Sequence, residues 1–244
     1  MTSAAVLVIG NEILSGRTRD ANVQYLGTQL AELGIVLAEV RIIRDDTAAI
    51  VEALNALRAR HAYVFTSGGI GPTHDDITSA AVARAFGVAL ARDPEAVARL
   101  RSRYGEDELN AARLKMADIP EGAALIDNPV SQAPGFRLGN VFVMAGVPRI
   151  LQAMFDGVRA GLAGGPPQVS RSLTLAVREG DLAEGLALLQ SAHPHVEIGS
   201  YPTFADGCSR VGVVARGVDA GELERVMDGV RVLAATLGAA ILDG

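Results

Sequence analysis

At 244 residues the chain can bury one large core and a smaller second one, and with 49% apolar residues it is not short of the hydrophobics that folding needs. A formal net charge of −6, with Lys and Arg scattered along the chain, argues against the basic face that a nucleic-acid backbone requires, so no nucleic-acid partner is expected. The single cysteine, Cys208, excludes an intrachain disulfide or a cysteine metal cluster and is expected to be a small buried hydrophobe.

Residues 4–10, Ala-Ala-Val-Leu-Val-Ile-Gly, are continuously apolar and end on glycine, the pattern of a strand buried on both faces. No basic region precedes them, so they do not read as a secretory signal, and no apolar run approaches the roughly 20 residues of a bilayer span. A cytoplasmic protein without membrane attachment is expected. A polar loop over 11–20 follows. Leu26, Leu30 and Leu33 then recur at helical spacing, and Gly34 closes that helix. Ile35–Ile43 reads as the second strand. Asp45 and Asp46 sit where an N-cap belongs, Asp46 being the better candidate, and Ile50, Leu54 and Leu57 stripe the next helix. A third strand over 63–66 delivers Ser67-Gly68-Gly69-Ile70-Gly71-Pro72-Thr73-His74-Asp75-Asp76-Ile77-Thr78, and a helix is predicted over 79–86.

Beyond it, 94–104 and 110–117 look helical, and 123–127, 135–138 and 141–145 are short strands with Gly139-Asn140 as a hairpin turn. A helix over 148–162 has Pro148 in its first turn, and Gly164-Gly165-Pro166-Pro167 is the clearest linker. Domains are therefore expected at 1–163 and 168–244. The first reads as α/β, a parallel sheet with helices on both faces. In the second, strands over 173–177 and 210–216, an extended segment over 199–204, and helices over 181–191 and 219–237 predict a small α+β domain of the split βαβ kind.

Ligands of such parallel sheets bind at the carboxyl ends of the strands. Three loops should meet there: 11–20, 44–47 and 67–78. Gly68, Gly69 and Gly71 let a ligand approach the backbone, and the helix start behind them favours phosphate. A Cβ at Gly69 is expected to block that approach. Asp75 and Asp76 would repel an anion unless a metal or a proton lies between, so the loop points to a phosphorylated ligand handled through a divalent metal. Its spacing is neither a Walker A motif nor a dinucleotide fingerprint, and the plainer alternative is a tight turn. Glu12, after Gly10, can accept hydrogen bonds from a heterocycle or hold a metal. Asp20 is expected to cap the next helix. His74 is a metal ligand, a base or a solvated residue; His61, His193 and His195 are expected to be structural. Arg113 and Lys115 are expected to be solvated helix-face charges, with phosphate contact as the alternative.

These residues resemble the MoaB/Mog-type molybdopterin-binding domain, in particular its competence/damage-inducible protein A-like branch, and are also similar to the N-terminal domain of eukaryotic FAD synthases. Three blocks carry the resemblance: Gly10-Asn11-Glu12 with Gly16 and Asp20-Ala21-Asn22; the stretch from Gly68 to Thr78; and Asn128-Pro129-Val130 with Ala133-Pro134-Gly135-Phe136, followed by Ala145-Gly146-Val147-Pro148. It spans about residues 4–162, and Ile198-Gly199-Ser200-Tyr201-Pro202 extends it into the second unit. The resemblance implies a ligand at the carboxyl edge, held by Gly10, Glu12, Gly16, Asp20, Asn22, Asp45, Ser67, Gly68, Gly69, Gly71 and Thr78. Asp76 and Asp75 would be catalytic, and Asp76 with Glu12 would hold a metal. Molybdopterin is a candidate ligand. A divalent metal (Mg, Mn or Co) is a candidate cofactor for pyrophosphate hydrolysis of the ADP-ribose or FAD type. A homo-oligomer is expected. The alternative is a non-catalytic pterin- or nucleotide-binding module. Ala145 stands where a proline usually precedes Gly-Val-Pro, and the sequence shows neither the amidase nor the adenylyltransferase domain of longer relatives, so those activities are not expected.

Overall fold

The opening apolar run forms β1 (Thr2–Ile9), and its two-sided burial explains its composition. Ala5, Leu7 and Ile9 point into one core, and Ala4, Val6 and Val8 into another on the opposite face. The computed structural model describes residues 2–205 and 208–243, except the side chains at 106, 107, 205 and 208, so the expected burial of Cys208 lies outside it. The chain divides into two compact units, Met1–Gly165 and Pro166–Gly244.

In the first unit β1 is followed by α1 (Asn11–Leu14), α2 (Asn22–Glu32), β2 (Ile35–Ile43), α3 (Thr47–Arg60), β3 (Tyr63–Ser67) and α4 (Thr78–Phe86). Then come β4 (Leu90–Arg92), α5 (Pro94–Glu108), α6 (Ala111–Lys115), β5 (Asp118–Pro120), β6 (Ala124–Ile126), β7 (Gly135–Leu138), β8 (Val141–Met144) and α7 (Pro148–Arg159). The main sheet has the order β2-β1-β3-β8-β7-β6. Its first four strands are parallel, whereas β7 runs antiparallel to both β8 and β6. The sheet is thus mostly parallel, not parallel throughout: the Gly139-Asn140 turn makes β7–β8 a hairpin, and a hairpin reverses the chain.

Helices cover both faces, as the apolar stripes require. Leu26 and Leu30 of α2 pack with Leu151, Met154 and Phe155 of α7 around Phe65 and Phe142, whose rings stack at 5.1 Å. Ile50, Leu54 and Leu57 of α3 and Ala81 and Val82 of α4 fill the other face. Three short elements carry too little pattern to be read in advance. The expected polar loop over 11–20 opens with the single turn α1, and β4 pairs with β5 although all three β4 residues are exposed. The linker also differs from expectation. The Gly165 N–H donates to the Gly34 carbonyl at 3.1 Å, and a Cβ on Gly164 would lie 1.7 Å from the Leu33 carbonyl oxygen. The two linker glycines are therefore packed into the first unit.

The second unit contains β9 (Val169–Ala176), α8 (Glu179–Ala192), β10 (Glu197–Ala205), β11 (Cys208–Gly217), α9 (Ala220–Thr236) and β12 (Ala240–Asp243). Its sheet order is β10-β11-β9-β12, with all neighbours antiparallel, which is the split βαβ arrangement. The extended segment around Tyr201 is a full strand. The edge strand β12, exposed along its length, was not foreseen. Leu173, Val213, Leu223, Val226 and Val230 form its core. Among the described residues, no helix is long and apolar enough to cross a membrane.

Candidate functional site

The parallel strands point their carboxyl ends at one place, and a cavity of about 550 Å³ opens there. Gly10 and Glu12 reach it from β1, Asp45 from β2, Gly68, Gly69, Gly71, Asp75 and Asp76 from β3, and Gly146 to Pro148 from β8.

The glycine loop is shaped from behind. Gly68 and Gly69 have φ of +107° and +70°, which side-chain-bearing residues rarely adopt. A Cβ on Gly68 would lie 2.2 Å from the Ile9 carbonyl oxygen, and one on Gly69 2.1 Å from Thr78 Oγ1. Thr78, fully buried, donates from its hydroxyl to the Gly68 carbonyl and from its N–H to the Gly69 carbonyl, each at 3.0 Å. Thr78 is therefore an anchor behind the loop and does not border the cavity. The start of α4 does not border it either, which corrects the expectation that the helix N-terminus faces the ligand.

Asp76 braces the loop: its Oδ2 accepts from the Thr73 N–H at 2.8 Å and the Thr73 hydroxyl at 2.5 Å. Lys115 Nζ holds the same turn by donating to the Thr73 carbonyl at 2.7 Å. The Thr73 hydroxyl lies beside Asp75 too, and with the backbone N–H of Asp75 itself it holds that carboxyl below its ordinary range. Asp75 is thus a charged group at neutral pH, suited to a cation or to orienting water and not to donating a proton. His74 is almost fully exposed and does not border the cavity.

Gly10 leaves room for Glu12, since a Cβ there would lie 2.6 Å from the Glu12 carboxylate. Asp45 accepts from the Asn11 N–H at 2.9 Å, which secures the start of α1, while Asp46 caps α3 through the Ala49 N–H at 2.8 Å. Four other expected ligand residues stand outside the cavity. Asp20 accepts from the Val23 N–H at 2.9 Å and caps α2; Gly16 is a turn residue with φ +72°. Asn22, 3% exposed, donates to Ser67 Oγ at 2.8 Å and to the Gly146 carbonyl at 2.7 Å. Asn22 and Ser67 therefore brace the cavity wall from inside the protein, because both side chains are buried under it.

Sequence reasoning missed part of the wall. Asn128 closes the loop beside β7 with four hydrogen bonds: its amide donates to Ser131 Oγ and the Ala133 carbonyl, and its Oδ1 accepts from the Val130 and Ser131 N–H groups. Tyr104 and Met116, near the ends of α5 and α6, also border the cavity, and no local pattern marks them. Among the described residues no group of three or more His, Cys, Asp or Glu could hold a metal by itself. The oxygen donors around the cavity, Glu12, Asp45, Asp75 and Asp76, are of the hard kind that Mg- and Mn-type ions take.

Two family profiles match the chain: that of the probable molybdopterin binding domain over residues 5–162, and that of the FAD synthase middle domain over residues 167–236. A protein from Aeropyrum pernix is 33% identical, with 96% of each chain covered. A CinA-like protein from Frankia casuarinae is 32% identical over 99% of this chain, which spans 60% of that relative's length. The crystal structure of the protein CinA, with unknown function, from Thermoplasma acidophilum superimposes with a TM-score of 0.63 at 35% identity, covering 66% of this chain and 97% of that one.

Proposed function

Because the chain belongs to the probable molybdopterin-binding domain family, with CinA-like relatives, we propose that its cavity binds a phosphorylated pterin or an adenine-containing pyrophosphate and acts on the pyrophosphate link. One observation carries the reading: four carboxylates and five glycines, from separate loops, border a single cavity at the carboxyl edge of the sheet. Backbone at Gly68 and Gly69, drawn tight against Ile9 and Thr78 from behind, borders the cavity where phosphate oxygens would be held. Carboxylates beside phosphate are unfavourable unless a cation intervenes, so a divalent metal fits the donor set.

Asp75 and Glu12 are the side chains that would hold such an ion, since one Asp76 oxygen is already engaged by Thr73. The bound metal would neutralise phosphate charge and lower the pKa of a coordinated water. Asp76 keeps the turn that presents Asp75, and Glu12, tucked over Gly10, faces a heterocycle or the ion. The assembly is proposed to be a homo-oligomer.

Thermal-shift and titration measurements with molybdopterin, ADP-ribose and FAD, with and without Mg, Mn or Co, test the reading. Metal-dependent stabilisation followed by release of a nucleoside monophosphate is the expected result. Stabilisation by such a ligand without turnover under any metal makes the protein a binding module, and no binding at all overturns the proposal.

A further inference from the structure

The cavity wall contributed by α5 and α6 differs in chemistry from the strand-edge wall. Tyr104 is the sole aromatic residue among those described at the cavity, and Met116, Ile70 and Ile9 border the same space. The ring is half-buried, packed against the core on the α3–α4 face of the sheet. The Arg113 guanidinium lies over it, 4.4 Å from the centroid, while that of Arg103 stands farther off at 5.7 Å. Arg113 is in turn held by the Glu108 carbonyl and carboxylate. A phosphate site has no use for such a surface. A half-buried ring, held in place by a fixed cation and bordered by a thioether and aliphatic carbon, suits a flat π-system.

We infer that Tyr104 is the specificity-determining residue against which the planar heterocycle of the ligand stacks, with the glycine loop left to its phosphates. The inference rests on the pyrophosphate reading and adds which residue recognises the base. The shared chemistry is a planar nitrogen heterocycle carrying phosphate, and its two sources, adenine and pterin, are separated by the probes.

The test measures binding of ADP-ribose, neopterin triphosphate and inorganic pyrophosphate, each with Mg, to the wild type and to Tyr104→Leu and Tyr104→Phe. Stacking on an aromatic is worth about 1–3 kcal/mol, so Tyr104→Leu should lose about tenfold or more for the heterocyclic probe that binds, while pyrophosphate binds unchanged. Tyr104→Phe, which retains the ring, should bind all three like the wild type. The heterocyclic probe with the larger loss identifies the base. Equal affinity of Tyr104→Leu and wild type for both heterocyclic probes overturns this inference and leaves the pyrophosphate reading standing. An equal loss for pyrophosphate also overturns it, because the tyrosine is then only structural. A wild type that binds none of the probes overturns both.

Discussion

Gly69→Ala separates a loop shaped by its own anchor from one shaped by its ligand. The sequence suggests that a side chain here would block the phosphate, but the new Cβ would instead sit 2.1 Å from Thr78 Oγ1, behind the loop. Holding alanine at φ +70° costs about 1–2 kcal/mol, and overpacking against a buried hydroxyl adds roughly 1–3 kcal/mol. The sum, roughly 2–5 kcal/mol, corresponds to a fall in melting temperature of about 5–20 °C for a unit of this size. Thr78→Ala alone leaves the Gly68 carbonyl unpaired and should cost about 1–3 kcal/mol. In Gly69→Ala/Thr78→Ala the clash with Oγ1 is gone, so the double mutant should be more stable than the sum of the single changes predicts, by about 1 kcal/mol or more. Thermal melting of the four proteins in the full chain measures this cycle. Additive losses, or a Gly69→Ala protein that melts with the wild type, would refute the assignment of Thr78 as the anchor.

The two loop acids should behave differently. Asp76→Asn weakens a charge-assisted brace and should cost about 1 kcal/mol, seen as a small drop in melting temperature. Asp75→Asn leaves that brace intact and should lower metal-dependent turnover of ADP-ribose at least tenfold with an unchanged melt; undiminished turnover would remove Asp75 from the site. Glu39 is held below its ordinary range first by Arg41 and then by His61. Its stabilisation is therefore in place above its unfolded pKa and lost as pH falls through the folded one, so the melting difference between wild type and Glu39→Gln should close in acid. A difference that stays constant down the acid range would contradict this. Residues 1–165 should fold cooperatively alone, because Gly165 still bonds Gly34, whereas a chain ending at 163 loses that contact and should melt lower.

Much of the architecture was legible in the sequence because burial leaves a periodic trace. β1 reads as continuously apolar since both its faces are covered, and α3 shows its stripe because one side of it meets the sheet. The order of strands and helices then brings Glu12, Asp45 and the glycine loop to one edge, whatever their roles. Short exposed elements such as α1, β4 and β12 bury too little to leave that trace. The local cap made by Asp20 was legible too, but the distant groups that the other site residues touch were not. Asn22 and Ser67 sit 45 positions apart, and Asn22 and the Gly146 carbonyl 124 apart, yet each pair is hydrogen-bonded under the cavity wall. Gly69 reads as room for a ligand until its φ and the position of Thr78 show that the missing Cβ makes room for the anchor. Tyr104, one aromatic in a charged helix, acquires a place at the cavity only when α5 folds against the α4 side of the sheet. Local sequence encodes which face of an element is dry; it does not encode which distant groups meet there, since that depends on the packing of the whole unit.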